Sequence, residues 1–367
     1  MKSASIIILH ATFLLLCNTA LWAQRLVVGT YTHTGTSKGI YIYDFDVKTG
    51  RSAPVSYVET ENPSYLVIND HHTHVYAVNE GDPGHLSSFS YDKNTGRLHF
   101  LNKVSSEGSA PCYISIDKTG KWLFAGNYSS GNLTVHSINP DGTIGALHQF
   151  VQHAGAGINT SRQEGPHVHC TYVGNDNKHL YVPDLGLDKV MVYPFDASTG
   201  LLDSANKTWI AVAPGGGPRH IVFSKNGRYA YLAEEMSGNV NVILKTGNNY
   251  KIIQTENHLP RDQEGAGADI HLSPDEKFLY VSQRSNSTIQ IFKVDATKGT
   301  LKYIGGQSTM GNFPRNFTIH PSGRYLLAAN QKSNDITVFK RDIQTGLLTD
   351  TKERIKVGVP VCLQWIN

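Results

Sequence analysis

The stretch IYIYDFDVKTGRSAP, residues 40–54, alternates apolar and polar residues on both sides of a short turn that ends at Gly50. Such alternation around a glycine-containing turn predicts a β-hairpin. The pattern returns six more times, at residues 86–100, 133–147, 190–204, 240–253, 289–303 and 336–350. Seven hairpins at a regular spacing predict a repeat protein built from strands.

A second pair of short strands precedes six of these hairpins, again around a polar turn. These pairs lie at residues 64–80, 112–128, 169–185, 220–235, 269–284 and 317–331. Each repeat therefore has four antiparallel strands, A to D, and the repeats are numbered blades 1 to 6 in chain order. The hairpin at 40–54 lacks a complete A–B pair, but the terminal segments 25–31 and 359–367 offer one strand each. We predict a seven-bladed β-propeller of four-stranded antiparallel blades, closed in blade 7 by pairing of the N- and C-terminal strands.

A proline opens most of the predicted A strands. The prolines stand at positions 63, 111, 166, 218, 314 and 360, Gly267 takes the place in blade 5, and successive spacings are 48, 55, 52, 49, 47 and 46 residues. Strand A is the innermost strand of a propeller blade. The residue after each proline should therefore lie at the mouth of the central channel, beside the last residue of strand B.

Aligned in this way, blades 3 to 6 bring five ionisable side chains to one end of the channel. They are His167, Arg219, Glu235, Arg284 and Arg315. A concave mouth lined by arginines favours a small anion, because a guanidinium binds carboxylate or phosphate through two parallel hydrogen bonds. His169 and His220 alternate with their neighbours along strand A, and we predict for them either a structural role or a further contact with substrate.

The composition of the 367-residue chain excludes several classes of partner. The net charge is +3, and no run of lysine or arginine predicts binding to nucleic acid or to an anionic membrane. Residues 1–23 combine one lysine, an apolar stretch and small residues near Ala23, which predicts a signal peptide and export, most simply to a periplasm. Leu16 before Cys17 argues against a lipoprotein. Residues 24–367 then form a single propeller domain.

Three cysteines remain after the predicted cleavage: Cys112, Cys170 and Cys362. An odd number without a CxxC motif argues against a disulfide framework and against a zinc site. We predict that they pack as small buried hydrophobic residues.

Seven segments carry a resemblance to a known family. They are QEGPHVHC (163–170), VPDLGLDKV (182–190), GGGPRHIVF (215–223), GRYAYLAEE (227–235), ADIHLSPD (268–275), LYVSQRSNSTI (279–289) and PRNFTIHPSGRYLLAANQKSN (314–334). In this order they resemble the seven-bladed 6-phosphogluconolactonase and muconate-lactonizing family. The resemblance implies an enzyme without metal or cofactor that opens a small anionic sugar lactone, or a cyclase that acts on a related acid.

The resemblance also implies site residues. His167, Arg219, Glu235 and Arg284 match the family's catalytic positions, and Arg315 and Gln331 would line the same mouth. Histidine titrates near neutral pH, so His167 is the candidate general base. Arg219 would hold the oxyanion or the substrate's anionic group. Glu235 would orient Arg219 or handle the proton of the leaving group, and the other arginines would clamp phosphate or carboxylate.

Other functions remain open from the sequence. The same face could bind a ligand or protein without chemistry, and a calcium-dependent sugar lactonase is a further propeller type. Calcium needs several oxygen ligands close together, whereas this ring offers arginines. Export conflicts with a phosphorylated substrate, since phosphorylated lactones are scarce outside the cytoplasm. Either the substrate is an unphosphorylated lactone or residues 1–23 are not a signal. The oligomeric state is not encoded in any motif.

Overall fold

The computed structural model describes residues 24–367, and these residues fold into 29 strands joined by turns and loops. The predicted signal peptide, residues 1–23, lies outside the described residues. Within the described part, no helix is long and apolar enough to span a membrane.

The strands form seven antiparallel sheets that follow one another along the chain. The chain begins with three strands of blade 7: β1 (Gln24–Thr30), β2 (Gly39–Phe45) and β3 (Ser52–Glu59). Blades 1 and 2 contain β4 (Leu66–Ile68), β5 (His74–Asn79), β6 (His85–Asp92), β7 (Arg97–Ser105), β8 (Pro111–Ile116), β9 (Trp122–Asn127), β10 (Asn132–Ile138) and β11 (Ile144–Gln152). Blade 3 contains β12 (Tyr172–Val173), β13 (His179–Asp184), β14 (Lys189–Asp196), β15 (Leu201–Leu202) and β16 (Thr208–Ala211).

The remaining blades have four strands each. Blade 4 contains β17 (Pro218–Phe223), β18 (Tyr229–Glu234), β19 (Val240–Thr246) and β20 (Asn249–Glu256). Blades 5 and 6 contain β21 (Gly267–Leu272), β22 (Phe278–Gln283), β23 (Thr288–Val294), β24 (Leu301–Ser308), β25 (Pro314–Ile319), β26 (Tyr325–Asn330), β27 (Asp335–Arg341) and β28 (Leu348–Lys356). The chain ends with β29 (Pro360–Ile366).

The ring closes as the sequence predicts. Strand β29 pairs antiparallel with β1, with Val28 opposite Leu363 and Val27 opposite Gln364, so blade 7 is built from both ends of the described chain. Strand β29 also contacts the innermost strands of blades 6 and 1, β25 and β4. The seven-bladed propeller is therefore confirmed, and its closure leaves no free innermost edge.

The hydrophobic core is divided among the interfaces between neighbouring blades. One cluster joins blades 6 and 7 through Leu26, Val28, Leu327, Val338 and Leu363, all of them buried. Because each interface is made from the faces of two sheets, each blade depends on its neighbours for burial of its apolar side chains.

A substitution of Leu363 tests how much the closing strand β29 contributes to the stability of the fold. Leu363→Ala should lower the free energy of unfolding by about 2–5 kcal/mol, because it removes a buried side chain and leaves a cavity. The measurement is equilibrium unfolding in urea followed by intrinsic fluorescence. Leu347→Ala, in an exposed turn of blade 6, is the matched control and should change stability by less than about 0.5 kcal/mol. Equal small effects at both positions would contradict closure by β29.

The glycine in the C–D turn of many blades packs under an aromatic ring of the neighbouring blade. Gly50 has φ +77°, and a Cβ atom there would lie 2.8 Å from the Tyr325 ring. Gly346 (φ +76°) lies against Phe278 in the same way. Glycine is therefore required in these turns for two physical reasons. Its backbone has a positive φ, and a side chain at this position would collide with the neighbouring blade.

Candidate active site

A repeated hydrogen bond brings the end of strand B to the start of strand A. In six blades, the residue after strand B donates its backbone N–H to the carbonyl of the residue that precedes the opening proline or Gly267. The pairs are Tyr31–Val359, Glu80–Asn62, Tyr128–Ala110, Glu235–Gly217, Arg284–Ala266 and Gln331–Phe313, with N···O distances of 2.7–3.1 Å. This bond places the side chains of both predicted positions at one end of the channel.

A β-bulge directs the strand A side chain. In blade 4, Pro218 pairs with Glu234 but His220 pairs with Ala233, so Arg219 is the bulged residue. The same shift occurs at Pro314 and leaves Arg315 as the bulged residue of blade 6. Bulges commonly redirect a side chain beside a functional site, and here both bulged residues are arginines.

Blade 3 departs from the alignment that the sequence predicted. Pro166 does not open a strand there; instead Val168 forms the bridge to Asp184, and His169 donates its N–H to the carbonyl of Pro183. Strand pairing therefore makes His169, rather than His167, the equivalent of Arg219. The prediction failed because two additional residues separate Pro166 from the paired segment, which an ungapped alignment cannot show.

Glu235 is the buried centre of an ionic cluster. Its Oε2 lies 3.1 Å from Nε of Arg219 and 2.9 Å from Nη2 of Arg284, while Oε1 accepts a 2.6 Å hydrogen bond from Nη2 of Arg162. We call these four residues the Glu235 cluster. Three guanidinium groups around one carboxylate leave an excess of positive charge, which is suited to an anionic substrate or to a developing oxyanion.

The electrostatics of this cluster keep Glu235 ionised. Burial alone would raise the pKa of Glu235, but the charges of Arg284 and Arg219 outweigh burial and hold the pKa well below its ordinary value. Burial lowers the pKa of Arg284 to about 10 in spite of Glu235, so this guanidinium is also charged at neutral pH. A carboxylate of this kind is a strong anchor for arginines and a poor proton donor.

His167 lies at the edge of the mouth, against Tyr128. The two rings stack with centroids 4.5 Å apart, and His167 Nδ1 lies 2.9 Å from the backbone carbonyl of Tyr128. Since a carbonyl only accepts, Nδ1 carries the hydrogen and Nε2 of the neutral ring is left with its lone pair. Glu164 Oε1 lies 3.2 Å from Nε2 and can stabilise the protonated ring. The backbone N–H of His167 is held by Asp184.

His169 is buried inside the cluster. Its Nε2 lies 3.6 Å from Glu235 Oε2, and its ring packs edge-on against Tyr128. Burial, together with the positive charge of Arg219, holds the pKa of His169 well below its ordinary value. The ring is therefore neutral at neutral pH.

His220 lies one residue deeper along strand A, beneath Arg219. Its Nδ1 donates to Asp269 at 2.9 Å, which leaves Nε2 free to accept from Arg219 Nη1 at 3.2 Å. Burial and the neighbouring Arg219 lower the pKa of His220 to about 4, consistent with a neutral ring. Together with the edge-on rings of Tyr65 and Tyr113, His220 forms a floor under the mouth.

Arg315 and Gln331 lie on the other side of the mouth. The Arg315 guanidinium sits 5.6 Å from the centroid of the Tyr31 ring, and within residues 24–367 it forms no hydrogen bond or ion pair. Burial would lower the pKa of Arg315, but the influence of Tyr31, Glu80 and Glu235 outweighs burial and raises it. The Gln331 side-chain carbonyl oxygen is buried and finds no partner among the described residues.

Comparison with known proteins identifies the family. Residues 25–365 match the model of the family described as "Lactonase, 7-bladed beta-propeller". This chain belongs to that lactonase family. The resemblance predicted from the sequence is therefore confirmed.

Individual lactonase relatives cover nearly the whole chain. It is 35% identical over 347 residues to the 6-phosphogluconolactonase of Formosa agariphila, which spans 92% of this chain and 98% of that protein. It is 34% identical over 349 residues to the 6-phosphogluconolactonase of Bacillus subtilis, which spans 93% and 97%. The solved structure of the periplasmic gluconolactonase of Pseudomonas aeruginosa superposes with a TM-score of 0.89 at 34% identity and covers 94% of this chain and 99% of that one.

Sequence reasoning missed one member of the Glu235 cluster. Arg162 lies on the D–A connection between blades 2 and 3, outside every repeat, and reaches across the mouth to Glu235 and to the Tyr128 hydroxyl, 3.2 Å away. The signal was the spacing of 55 residues between Pro111 and Pro166, the longest between predicted A strands. An insertion at the mouth of a propeller is placed to contribute to the site.

The described part of the chain shows no group of three or more His, Cys, Asp and Glu side chains arranged to bind a metal ion. Cys112, Cys170 and Cys362 are buried, as predicted, and unpaired. Cys112 Sγ lies 3.7 Å from Nδ1 of His169, beneath the mouth.

Proposed function

We propose that this chain hydrolyses a sugar lactone, either 6-phospho-D-glucono-1,5-lactone or an unphosphorylated relative, at the mouth of the propeller channel. Two relatives that span nearly the whole chain are named 6-phosphogluconolactonase. The observation that carries the proposal is the buried Glu235 carboxylate that holds three arginines, one of which, Arg162, also bonds the hydroxyl of Tyr128, the ring on which His167 stacks. Catalytic roles are proposed for His167, Arg219, Glu235 and Arg284.

His167 is the proposed general base. Its Nε2 lone pair takes a proton from water while the water oxygen bonds to the lactone carbonyl carbon. The Nδ1–H bond to the Tyr128 carbonyl fixes the tautomer that this step needs. The Glu164 carboxylate then stabilises the imidazolium.

Arg219 and Arg284 are the proposed stabilisers of the oxyanion. The carbonyl oxygen becomes negative as the tetrahedral intermediate forms, and preorganised cations lower the energy of that state. Glu235 holds both arginines in place, and the low pKa of its carboxyl group favours this orienting role over that of proton donor. When the ring C–O bond breaks, the protonated His167 supplies the proton to the departing ring oxygen, which yields the hydroxy acid.

The proposal is tested by measuring hydrolysis of D-glucono-1,5-lactone and its 6-phosphate against an enzyme-free blank, because both lactones open spontaneously. Acceleration of either substrate supports the lactonase. Absence of acceleration with retained ligand binding would instead favour a binding propeller, and formation of a lactone from a muconate-type acid would favour a cyclase. Loss of activity with a calcium chelator would indicate a calcium-dependent enzyme.

His167→Ala should lower kcat by about 100-fold, within the usual contribution of a general base. The measurement is steady-state hydrolysis from pH 5 to 9 with the blank subtracted. His179→Ala is the control, because His179 begins strand B of blade 3 (β13), at the opposite end from Asp184, and pairs with Asp176. Unchanged kcat in a folded His167→Ala protein would exclude His167 as the base.

We also propose export of the mature chain. The apolar composition of residues 1–23 supports this, and so does the likeness to a gluconolactonase named periplasmic. Fractionation of cells that express the full chain, followed by N-terminal sequencing of the product, tests both export and cleavage after Ala23. A cytoplasmic product that retains residues 1–23 would contradict the proposal.

A further inference from the structure

The mouth has two halves of different charge. The Glu235 cluster carries excess positive charge, whereas the opposite half holds one cation and one anion, Arg315 and Glu80, which form no direct ion pair but both contact Tyr31. Tyr31 connects them: Arg315 lies over its ring, and the Tyr31 hydroxyl donates to Glu80 Oε2 at 2.8 Å. We call this half the Arg315 side; it is formed by Arg315, Tyr31, Glu80, Ser64 and Gln331.

Two polar atoms on the Arg315 side have no hydrogen-bond partner within residues 24–367. They are Oγ of Ser64 and Oε1 of Gln331, and both atoms are buried. Ser64 is only 3% exposed and occupies in blade 1 the strand A position that Arg219 occupies in blade 4. Gln331 occupies in blade 6 the position that Glu235 occupies in blade 4. Buried polar groups are normally hydrogen-bonded, so these two atoms point to a ligand with hydrogen-bonding groups of its own.

We propose that the Arg315 side binds the hydroxyl groups of an unphosphorylated sugar lactone and that Glu80 discriminates against a phosphorylated one. This inference rests on the proposed lactonase function and selects between its two substrates. The lactone carbonyl then faces the Glu235 cluster, and the polyhydroxyl end of the sugar faces Glu80, Ser64 and Gln331.

The chemistry of the donors and acceptors gives the direction of the preference. A sugar hydroxyl both donates and accepts, so it can satisfy the Gln331 carbonyl oxygen, the Ser64 hydroxyl and the Glu80 carboxylate. A phosphate dianion only accepts, so it has no proton to offer to the Glu80 carboxylate. The negative charges of the phosphate and of Glu80 would repel each other, and this repulsion is stronger in a partly desolvated mouth than in bulk water. Arg315 is the one cation on this side, and Glu80 offsets part of its positive charge, so the Arg315 side is a poor phosphate site.

The test compares kcat/KM for D-glucono-1,5-lactone and its 6-phosphate. The wild-type protein should prefer the unphosphorylated lactone by about tenfold or more, the effect of one unfavourable charge contact. Glu80→Gln keeps an acceptor for the Tyr31 hydroxyl and removes the charge, so it should reduce the preference by about tenfold, mainly through a lower KM for the 6-phosphate. Glu107→Gln, an exposed carboxylate in the next D–A connection, should leave the preference unchanged.

Gln331→Ala provides a second measurement that does not depend on Glu80. It should raise KM for D-glucono-1,5-lactone about tenfold, the value of one hydrogen bond to a hydroxyl, and should leave KM for the 6-phosphate unchanged. A wild-type preference for the 6-phosphate that Glu80→Gln does not alter would overturn the inference while the lactonase function stands. Failure to hydrolyse either lactone would overturn the proposed function itself.

Discussion

Arg219→Ala is expected to lower kcat for lactone hydrolysis about a thousandfold, the upper range for loss of one oxyanion donor. KM should change little, because the interaction proposed for Arg219 strengthens only as the carbonyl oxygen becomes negative. The measurement is initial-rate hydrolysis of both lactones with spontaneous opening subtracted. A folded Arg219→Ala protein with wild-type kcat would remove Arg219 from the mechanism.

The structure adds a requirement to this experiment. Arg219 is buried and bonds Glu235 through Nε and the Ala268 carbonyl through Nη1 at 2.6 Å, so its loss also weakens the fold locally. Arg219→Lys separates the two effects: it keeps the positive charge but cannot make both bonds, and its kcat should fall between wild type and Arg219→Ala. Arg228→Ala removes an exposed arginine from the same blade and should leave kcat unchanged.

The sequence predicts the propeller because its signals are local and repeated. Each hairpin carries its own turn glycine, as at Gly50 and Gly346, so seven independent copies support one architecture. Ring closure by residues 25–31 and 359–367 follows from counting strands, since an open ring would leave one blade incomplete. The meeting of Arg219, Glu235 and Arg284 follows from the same count, because equivalent positions in neighbouring blades lie side by side.

The parts of the site that resist prediction are those that break the repeat. His169 replaces His167 in the strand pairing because blade 3 has additional residues after Pro166, and this shift is visible only once hydrogen bonds are assigned. Arg162 belongs to an insertion with no copy in another blade. Arg315 and Glu80 are connected through Tyr31, whose hydroxyl makes a contact between blades 7 and 1 that no motif records.

Glu235→Gln is expected to lower the free energy of unfolding by about 3–5 kcal/mol, because it leaves buried Arg219 and Arg284 without their counter-charge. It should also lower kcat by about 100-fold or more, since both proposed oxyanion donors lose their anchor. Urea unfolding at pH 7, with kcat measured on the folded fraction, gives both quantities.

Glu234→Gln is the control that makes this result specific. Glu234 is the adjacent residue and is also buried, but Ser237, Asn239 and Asn241 bond its carboxylate, and no arginine among residues 24–367 does. Burial outweighs these bonds and raises the pKa of Glu234, so replacing it by the neutral amide should cost only about 1 kcal/mol and leave kcat near wild type. Comparable losses at both positions would mean that burial of a carboxylate, rather than its pairing with arginine, supports this part of the ring.

The pH dependence of the stability lost in Glu235→Gln also distinguishes pairing with arginine from burial of a carboxylate as the cause of that loss. The pKa of Glu235 in the folded chain lies well below 4.5, its ordinary value. The stability that its ionised form supplies is therefore fully present above pH 4.5 and is lost only as pH falls through the lower, folded-state pKa. The difference in unfolding free energy between wild type and Glu235→Gln should be the same at pH 7 and at pH 6. A difference that shrinks over this range would show that the Glu235 carboxyl group gains a proton near neutrality, and the ionised anchor proposed for the three arginines would then be wrong.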